Sequence, residues 1–252
     1  MKSKALIGHT GFIGGVLKQQ QEFTHFYNSK NIFEIQDKEF DLVISCGNSS
    51  SRWLVNQKPT DDLDNIKRFI NYVSTIKAKK FVLLSTIDVY NSPVNVNEDT
   101  PGSKINNNSY GQNRYFLETE IQTLFLDHTI VRLPIMYGHG FKKNIIFDAL
   151  NKNELNKVNG NASVQIYNTK NLTKDLSVFI ASGNKIINLA TEPVIVRDFY
   201  RKVFNIDLDN NINTYFEYNM QTKYSPTKYF YSKQEIIDEL REFKIEYESM
   251  RK

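Results

Sequence analysis

Tyr110 and Arg114 stand four residues apart in a run whose apolar spacing (Leu117, Ile121, Leu124, Phe125) predicts a helix from about Ser109. Residues at that separation share one helix face. A phenol titrates near about 10 in isolation, so it is a poor proton donor or acceptor at neutral pH. A cation beside it favours the phenolate and can lower that value by about one to three units, toward general acid–base range. Thr86 follows the apolar run Phe81–Leu84 and could hydrogen-bond a carbonyl or hydroxyl lying between itself and the tyrosine. Taken alone, Tyr-x3-Arg is a common structural pair. Its meaning depends on the elements that place it.

Those elements begin at once. Ala5, Leu6 and Ile7 read as a strand, glycines follow at 8, 11 and 14, and Phe12, Ile13, Val16 and Leu17 give a helical pattern. Strand, glycine turn and helix predict the first unit of a dinucleotide-binding domain. Gly8 allows the tight turn, Gly11 lets the backbone approach a pyrophosphate, and Gly14 lets the helix pack closely on its strand. The N–H groups of the helix start would hold the phosphates. The spacing is GxxGxxG, a relative of the GxGxxG fingerprint.

A second strand at Phe23–Tyr27 ends in Asn28, Ser29 and Lys30. In a dinucleotide fold this strand end meets the adenosine ribose, where an acid suits NAD and a nearby cation suits the 2′-phosphate of NADP. No acid stands here, and Ser29 and Lys30 can donate to phosphate. NADP is therefore the expected cofactor, with NAD the alternative. Phe40–Cys46 is a buried-strand pattern closed by Gly47, only about a dozen residues on, so one βα unit is abbreviated. Asn48, Ser49 and the polar residues up to Trp53 read as a loop at the carboxyl end of that strand, where open α/β sheets bind ligands. Helical periodicity runs from Asp62 to Ile76, and further strands are expected at Phe81–Leu84 and Thr129–Val131. Alternating strands and helices predict an α/β fold, a Rossmann-type doubly wound parallel sheet. The regular alternation stops near Phe141. This suggests a dinucleotide-binding domain over 1–140 and a small α/β substrate-binding portion over 141–252, with a strand and helix near 163–182 able to return to the first domain.

Composition narrows the classes. The net charge of +4 is modest and the lysines are dispersed, unlike the concentrated basic face of a nucleic-acid binder. No apolar run is long enough to span a bilayer, and a strand beginning at residue 4 leaves no room for a signal peptide. One cysteine, Cys46, excludes an intramolecular disulfide and points to a reducing, cytoplasmic setting. His128 and His139 belong to no cluster of ligand spacing, so no metal site is expected, and His9 reads as a loop residue. The tyrosines at 215, 218, 224, 229 and 231 could pack the smaller portion or stack on a base.

The order of motifs resembles the extended short-chain dehydrogenase/reductase family, which includes NAD(P)-dependent nucleotide-sugar epimerases, dehydratases and reductases. The resemblance rests on GHTGFIGG at 8–15, DLVISCG at 41–47, Asn65, STIDVY at 85–90, NEDTP at 97–101, YGQNRYFLE at 110–118 and RLPIMYGHG at 132–140. It continues through IYNTKNLTKDL at 166–176 and NLATEPVIVRDF at 188–199. It implies that Gly8, Thr10, Gly11, Phe12, Ile13 and Gly14 hold the cofactor, with Cys46, Gly47, Asn65, Ser85 and Pro134 also along it. Thr86 matches the family's Ser/Thr that polarises the substrate oxygen, and Tyr110 its acid–base tyrosine. Arg114 falls where the family places a lysine that bonds the nicotinamide ribose. Asn144 falls where the sugar nucleotide is met, and Asn48 and Ser49 are further substrate candidates. The resemblance also implies a homodimer through the helices at Asp62–Ile76 and Ser109–Phe125.

Two departures matter. Arginine at 114 keeps the charge but effectively never gives up its proton, so a lysine-dependent relay is lost. Dehydratases of this family carry Thr-Asp-Glu before Val-Tyr, whereas Thr86-Ile87-Asp88 has one acid only. The resemblance then implies reduction of a nucleotide-linked 4-keto sugar with Tyr110 as general acid. The alternatives are an epimerase of the same family and a redox-silent dinucleotide-binding module.

Overall fold

The computed structural model describes residues 2–48, 51–105, 108–208, 212 and 216–251. Ser49 and Tyr215 therefore lie outside the described residues. The chain forms two interleaved units rather than two consecutive ones. The first takes 1–92, 100–133 and 172–187, and the second takes 93–99, 134–171 and 188–252.

The first unit is built on strands β1 (Lys4–Ile7), β2 (His25–Tyr27), β3 (Leu42–Ser45), β4 (Phe81–Thr86), β5 (His128–Leu133) and β6 (Ile186–Asn188). They form one sheet in the order β6-β5-β4-β3-β1-β2, and the pairings from β2 through β5 are all parallel. Between β2 and β3 a single tight turn of helix, Ile32–Ile35, and a two-residue strand, Glu39–Phe40, stand in place of a full βα unit. The abbreviation read from the spacing is therefore real. The strand order reverses at β1, and in open parallel sheets the crevice at such a reversal is where ligands bind.

Helices α1 (Phe12–Gln20), α2 (Arg52–Gln57), α3 (Pro59–Val73), α4 (Ser109–Leu124) and α5 (Leu172–Ser182) surround the sheet. Helix α1 packs with α5, and α3 packs with α4. Alternation along the strands explains the layering, because successive side chains point to opposite faces. Ala5, Ile7, Val43, Phe81, Leu83 and Ile130 join Ile66, Ile70, Val73, Leu117 and Ile121 of α3 and α4 in one buried cluster. The return to the sheet starts at Leu172, so the strands Ser163–Val164 and Ile166–Asn168 stay with the second unit. Helix α2 also corrects the sequence reading, since the polar stretch before Trp53 is helical from Arg52.

The second unit has its own short pairings. Ile135–Tyr137 lies parallel to Ile166–Asn168, Ser163–Val164 antiparallel to Val194–Ile195, and Val94–Val96 parallel to Asn219–Met220. Buried Glu98, from the NEDTP motif, draws the segment 93–99 into this unit. It accepts hydrogen bonds from Asn188 N at 2.9 Å, Thr222 Oγ1 at 2.6 Å and Lys223 N at 2.8 Å. Among the described residues no helix is long and apolar enough to cross a membrane.

Candidate active site

The glycine turn is dictated partly by the protein itself. Gly8 has φ +90°, and a Cβ there would lie 2.4 Å from Gly47 Cα. A Cβ on Gly14 would lie 2.1 Å from the Gly8 carbonyl oxygen. Gly8 N donates to Tyr27 O at 2.7 Å and Cys46 N to Ile7 O at 2.9 Å, which locks the ends of β1, β2 and β3 together. Gly11 is different. It is exposed, and a Cβ there would meet only Gly8 O, at an ordinary 3.4 Å. Among the described residues nothing requires glycine at that point, at the N-cap of a helix that no side chain caps. The open backbone leaves room for a phosphate, so the turn fits a dinucleotide. Thr10 is exposed at the tip of the turn, and Phe12 and Ile13 open α1.

Beside the turn lies a cleft of about 360 Å³. It brings together Gly8, Asn28, Ser29, Gly47, Asn48 and Asn65, all expected from the sequence. It also brings in residues that sequence reading missed, namely Phe33, Asp62, Arg68, Phe69 and Tyr72. Aromatic walls with a cation and small polar groups suit an adenosine. Lys30 does not line the cleft. It is exposed, and its backbone N–H donates to Asn28 Oδ1 at 2.8 Å. The cation at this end is Arg68, whose guanidinium donates to Asn65 Oδ1. His9 contacts the Asn28 amide through Nε2 at 3.2 Å, and burial, with help from Lys18, holds the imidazole below its usual range. Half-buried Cys46 donates Sγ to Ile7 O at 3.2 Å, and desolvation pushes its thiol up to about 12, so it stays a protonated thiol at neutral pH.

The second cluster gathers at the carboxyl end of β4. Thr86 Oγ1 accepts from Asp88 N at 3.2 Å, which shapes the turn that follows. Tyr110 sits in the first turn of α4, where its N–H is held by Asn108 Oδ1 at 3.2 Å and Asn56 Oδ1 at 3.0 Å. Its hydroxyl hydrogen-bonds with Thr86 and with Arg114. The structure thus joins the three residues expected to carry chemistry.

Their electrostatics differ from the sequence expectation. Arg114 Nη1 donates to Asp62 Oδ2 and Nη2 to Asp62 Oδ1, both at 3.0 Å, and both side chains are buried. Asn113 Nδ2 adds a third bond to Asp62 Oδ2 at 2.9 Å. The guanidinium carbon lies 4.7 Å from the centroid of the Tyr110 ring, a cation–π geometry. Burial raises the Tyr110 hydroxyl above its ordinary value. Arg114 pulls it down, Asp88 pushes it up, and burial wins. Arg114 therefore does not bring the phenol to a neutral pKa. Tyr110 keeps its proton. Asp88 in turn pairs with Arg52 at 3.2 Å.

Ser85 also departs from expectation. Its hydroxyl points into the core and donates to Glu118 Oε1 at 2.5 Å. Glu118 accepts from Arg132 Nη2 at 2.7 Å, and Arg132 Nη1 donates to the Tyr90 hydroxyl at 2.6 Å. This buried network ties β4, β5 and α4 together and so sets the position of the helix that carries Tyr110. The Ser85 hydroxyl is thus engaged by the scaffold.

Pro134 and Asn144 belong to the second unit. Pro134 directly follows β5. Asn144 caps the helix Ile145–Asn151, accepting from Ile146 N at 2.9 Å and Phe147 N at 3.1 Å while Nδ2 donates to Met136 O at 2.8 Å. Those bonds account for the residue without a substrate. Among the described residues no group of three or more His, Cys, Asp or Glu could hold a metal ion.

No protein-family model and no curated protein matches the chain. Solved structures do. A dTDP-4-dehydrorhamnose reductase from Bacillus anthracis, in complex with NADP, is 17% identical with a TM-score of 0.76 over 98% of this chain and 99% of that one. An NAD-dependent NDP-hexosamine 5,6-dehydratase of tunicamycin biosynthesis is 18% identical, TM-score 0.73, over 99% and 98%. A UDP-glucose 4-epimerase from Thermotoga maritima, with UDP-glucose, is 13% identical, TM-score 0.72, over 99% and 100%. At these identities the likeness is one of fold, and the fold is the one that the motif order implied, that of the extended short-chain dehydrogenases/reductases.

Proposed function

We propose that the chain is an NAD(P)-dependent oxidoreductase that reduces a nucleotide-linked 4-keto sugar, with NADP(H) the preferred cofactor and NAD the alternative. The observation that carries this reading is the state of Tyr110. It is a neutral phenol bonded to Thr86 beside a charge-compensated arginine. A proton donor is what carbonyl reduction needs.

Gly8, Gly11 and the start of α1 would hold the pyrophosphate, and the cleft at Phe33, Arg68 and Tyr72 the adenosine. When bound, a reduced nicotinamide supplies hydride to the carbonyl carbon. Thr86 and Tyr110 would bond the carbonyl oxygen, and Tyr110 would give it a proton as negative charge develops there. An alkoxide is far more basic than a phenolate, so the raised value of Tyr110 does not oppose the transfer. The phenolate left behind faces Arg114 and regains a proton from water.

Epimerisation through a ketone would first require Tyr110 to act as a base, which burial disfavours. For elimination of water, Ile87 stands where a second acid would be needed, and Asp88 is paired with Arg52. One observation favours the redox-silent reading, because both terminal nitrogens of Arg114 already bond Asp62. A homodimer and a reducing, cytoplasmic setting also belong to the proposal, the latter resting on Cys46 as the single cysteine of the sequence.

The test is to supply NADPH with a panel of nucleotide 4-keto-6-deoxy sugars and to follow loss of reduced-nicotinamide absorbance, with calorimetry for the cofactor. Turnover on at least one sugar is expected. Tight cofactor binding with no turnover supports the redox-silent reading, and no binding of NADP or NAD refutes both.

A further inference from the structure

Arginine stands at 114 where the motif resemblance implies lysine, and the structure supplies a partner suited to the guanidinium. A planar guanidinium matches a carboxylate through two parallel bonds, which an ammonium cannot do. Asp62, on a different helix, offers that carboxylate, with Oδ1 and Oδ2 each 3.0 Å from a terminal nitrogen. Asn113 steadies the acceptor from the side, donating Nδ2 to Asp62 Oδ2 at 2.9 Å and to Pro59 O at 3.0 Å. Relative exposures of 4% for the arginine and 8% for the aspartate side chain mean that little water screens the pair.

We propose that Asp62 is a positioning residue for the reaction: it clamps Arg114 against the Tyr110 ring and cancels part of its charge, so that the cation steadies the phenol without drawing off its proton. The proposal rests on Tyr110 as proton donor. Two charged groups act on that phenol: Arg114 on its own helix pulls its value down, and Asp88 after β4 pushes it up. Each has its own partner, Arg114 in Asp62 of α3 and Asp88 in Arg52 of α2. An uncompensated guanidinium 4.7 Å from the ring would favour the phenolate instead.

The test reads the Tyr110 hydroxyl directly in the free protein, by ring-carbon NMR of labelled tyrosine with the resonance assigned through Tyr110→Phe. In the parent protein the resonance is expected to stay neutral to above about pH 10. Asp62→Asn leaves Arg114 uncompensated, and the titration is expected to move down by about one unit or more. Asp62→Glu, which keeps the charge, is expected to titrate like the parent. An unchanged titration in folded Asp62→Asn protein would overturn the proposal and leave Asp62 as a tie between two helices. If Asp62→Asn does not fold, because it leaves a buried arginine unpaired, Asp62→Glu decides. Its longer arm shifts the fork, so kcat is expected to fall about tenfold; unchanged kcat contradicts the clamp. The titration needs no cofactor. A failure of the reductase assignment would therefore appear as absent turnover with the titration shift intact, and a failure of the Asp62 proposal as the reverse.

Discussion

Arg114 grips both oxygens of Asp62 at 3.0 Å while its guanidinium carbon lies 4.7 Å from the Tyr110 ring centroid. Three residues from two helices thus form one unit, in which the cation serves the tyrosine without being free to act as an open charge. This relationship decides what the tyrosine can do. A phenol whose desolvation outweighs the pull of the neighbouring cation keeps its proton at neutral pH.

The pH dependence follows with a definite sign. Burial, opposed by Arg114 and aided by Asp88, raises the Tyr110 value, so the protonated form persists through neutral pH. Reduction is expected to show no loss from this group until the pH exceeds about 10, where the phenol ionises and donation fails. A kcat profile falling between about pH 7 and 8 with Tyr110 as the titrating group, tested by its loss in Tyr110→Phe, would contradict this assignment.

The glycine turn separates stability from binding. Gly14→Ala drives a Cβ to 2.1 Å from the Gly8 carbonyl and is expected to cost about 1–3 kcal/mol or more of stability, measured by urea unfolding. Gly11→Ala meets only an ordinary contact and should leave stability within about 0.5 kcal/mol. It should nonetheless weaken dinucleotide binding at least about tenfold, read by calorimetry.

Cofactor choice is expected to depend on Arg68 rather than Lys30. Arg68 lines the cleft beside the glycine turn with Ser29, and Lys30 does not. Arg68→Ala should weaken NADPH binding about tenfold or more, the worth of a charge-assisted bond, and leave NADH nearly untouched. Lys30→Ala should change neither. Equal losses for the two cofactors would remove Arg68 from 2′-phosphate recognition.

The buried network behind the site should appear in stability. Glu118→Gln leaves the fully buried Arg132 without its counter-ion and is expected to cost about 3–5 kcal/mol in denaturant unfolding. Ser85→Ala removes one hydroxyl bond to the same carboxylate and should cost about 1–2 kcal/mol, with cofactor affinity unchanged.

What the sequence revealed was local. Gly8 and Gly14, the alternation of strands with helices, and the shared face of Tyr110 and Arg114 follow from short-range geometry, and each is present in the structure. What it concealed was pairing over distance. Asp62 and Arg114 are 52 residues apart and Ser85 and Glu118 are 33 apart, and no periodicity marks either pair. The segment 93–99 reads as loop because its partner strand lies beyond residue 200. The direction of the Ser85 hydroxyl follows from strand geometry, because Ser85 and Thr86 are adjacent on β4 and face opposite sides of the sheet.

The proposed role of Tyr110 is to donate the proton in reduction of a nucleotide-linked keto sugar. Tyr110→Phe is compared with the parent protein on the same 4-keto sugar nucleotide, taking kcat from NADPH oxidation and cofactor Kd from calorimetry. A fall in kcat of about 10²-fold or more with Kd unchanged is expected. Full activity in Tyr110→Phe would contradict it.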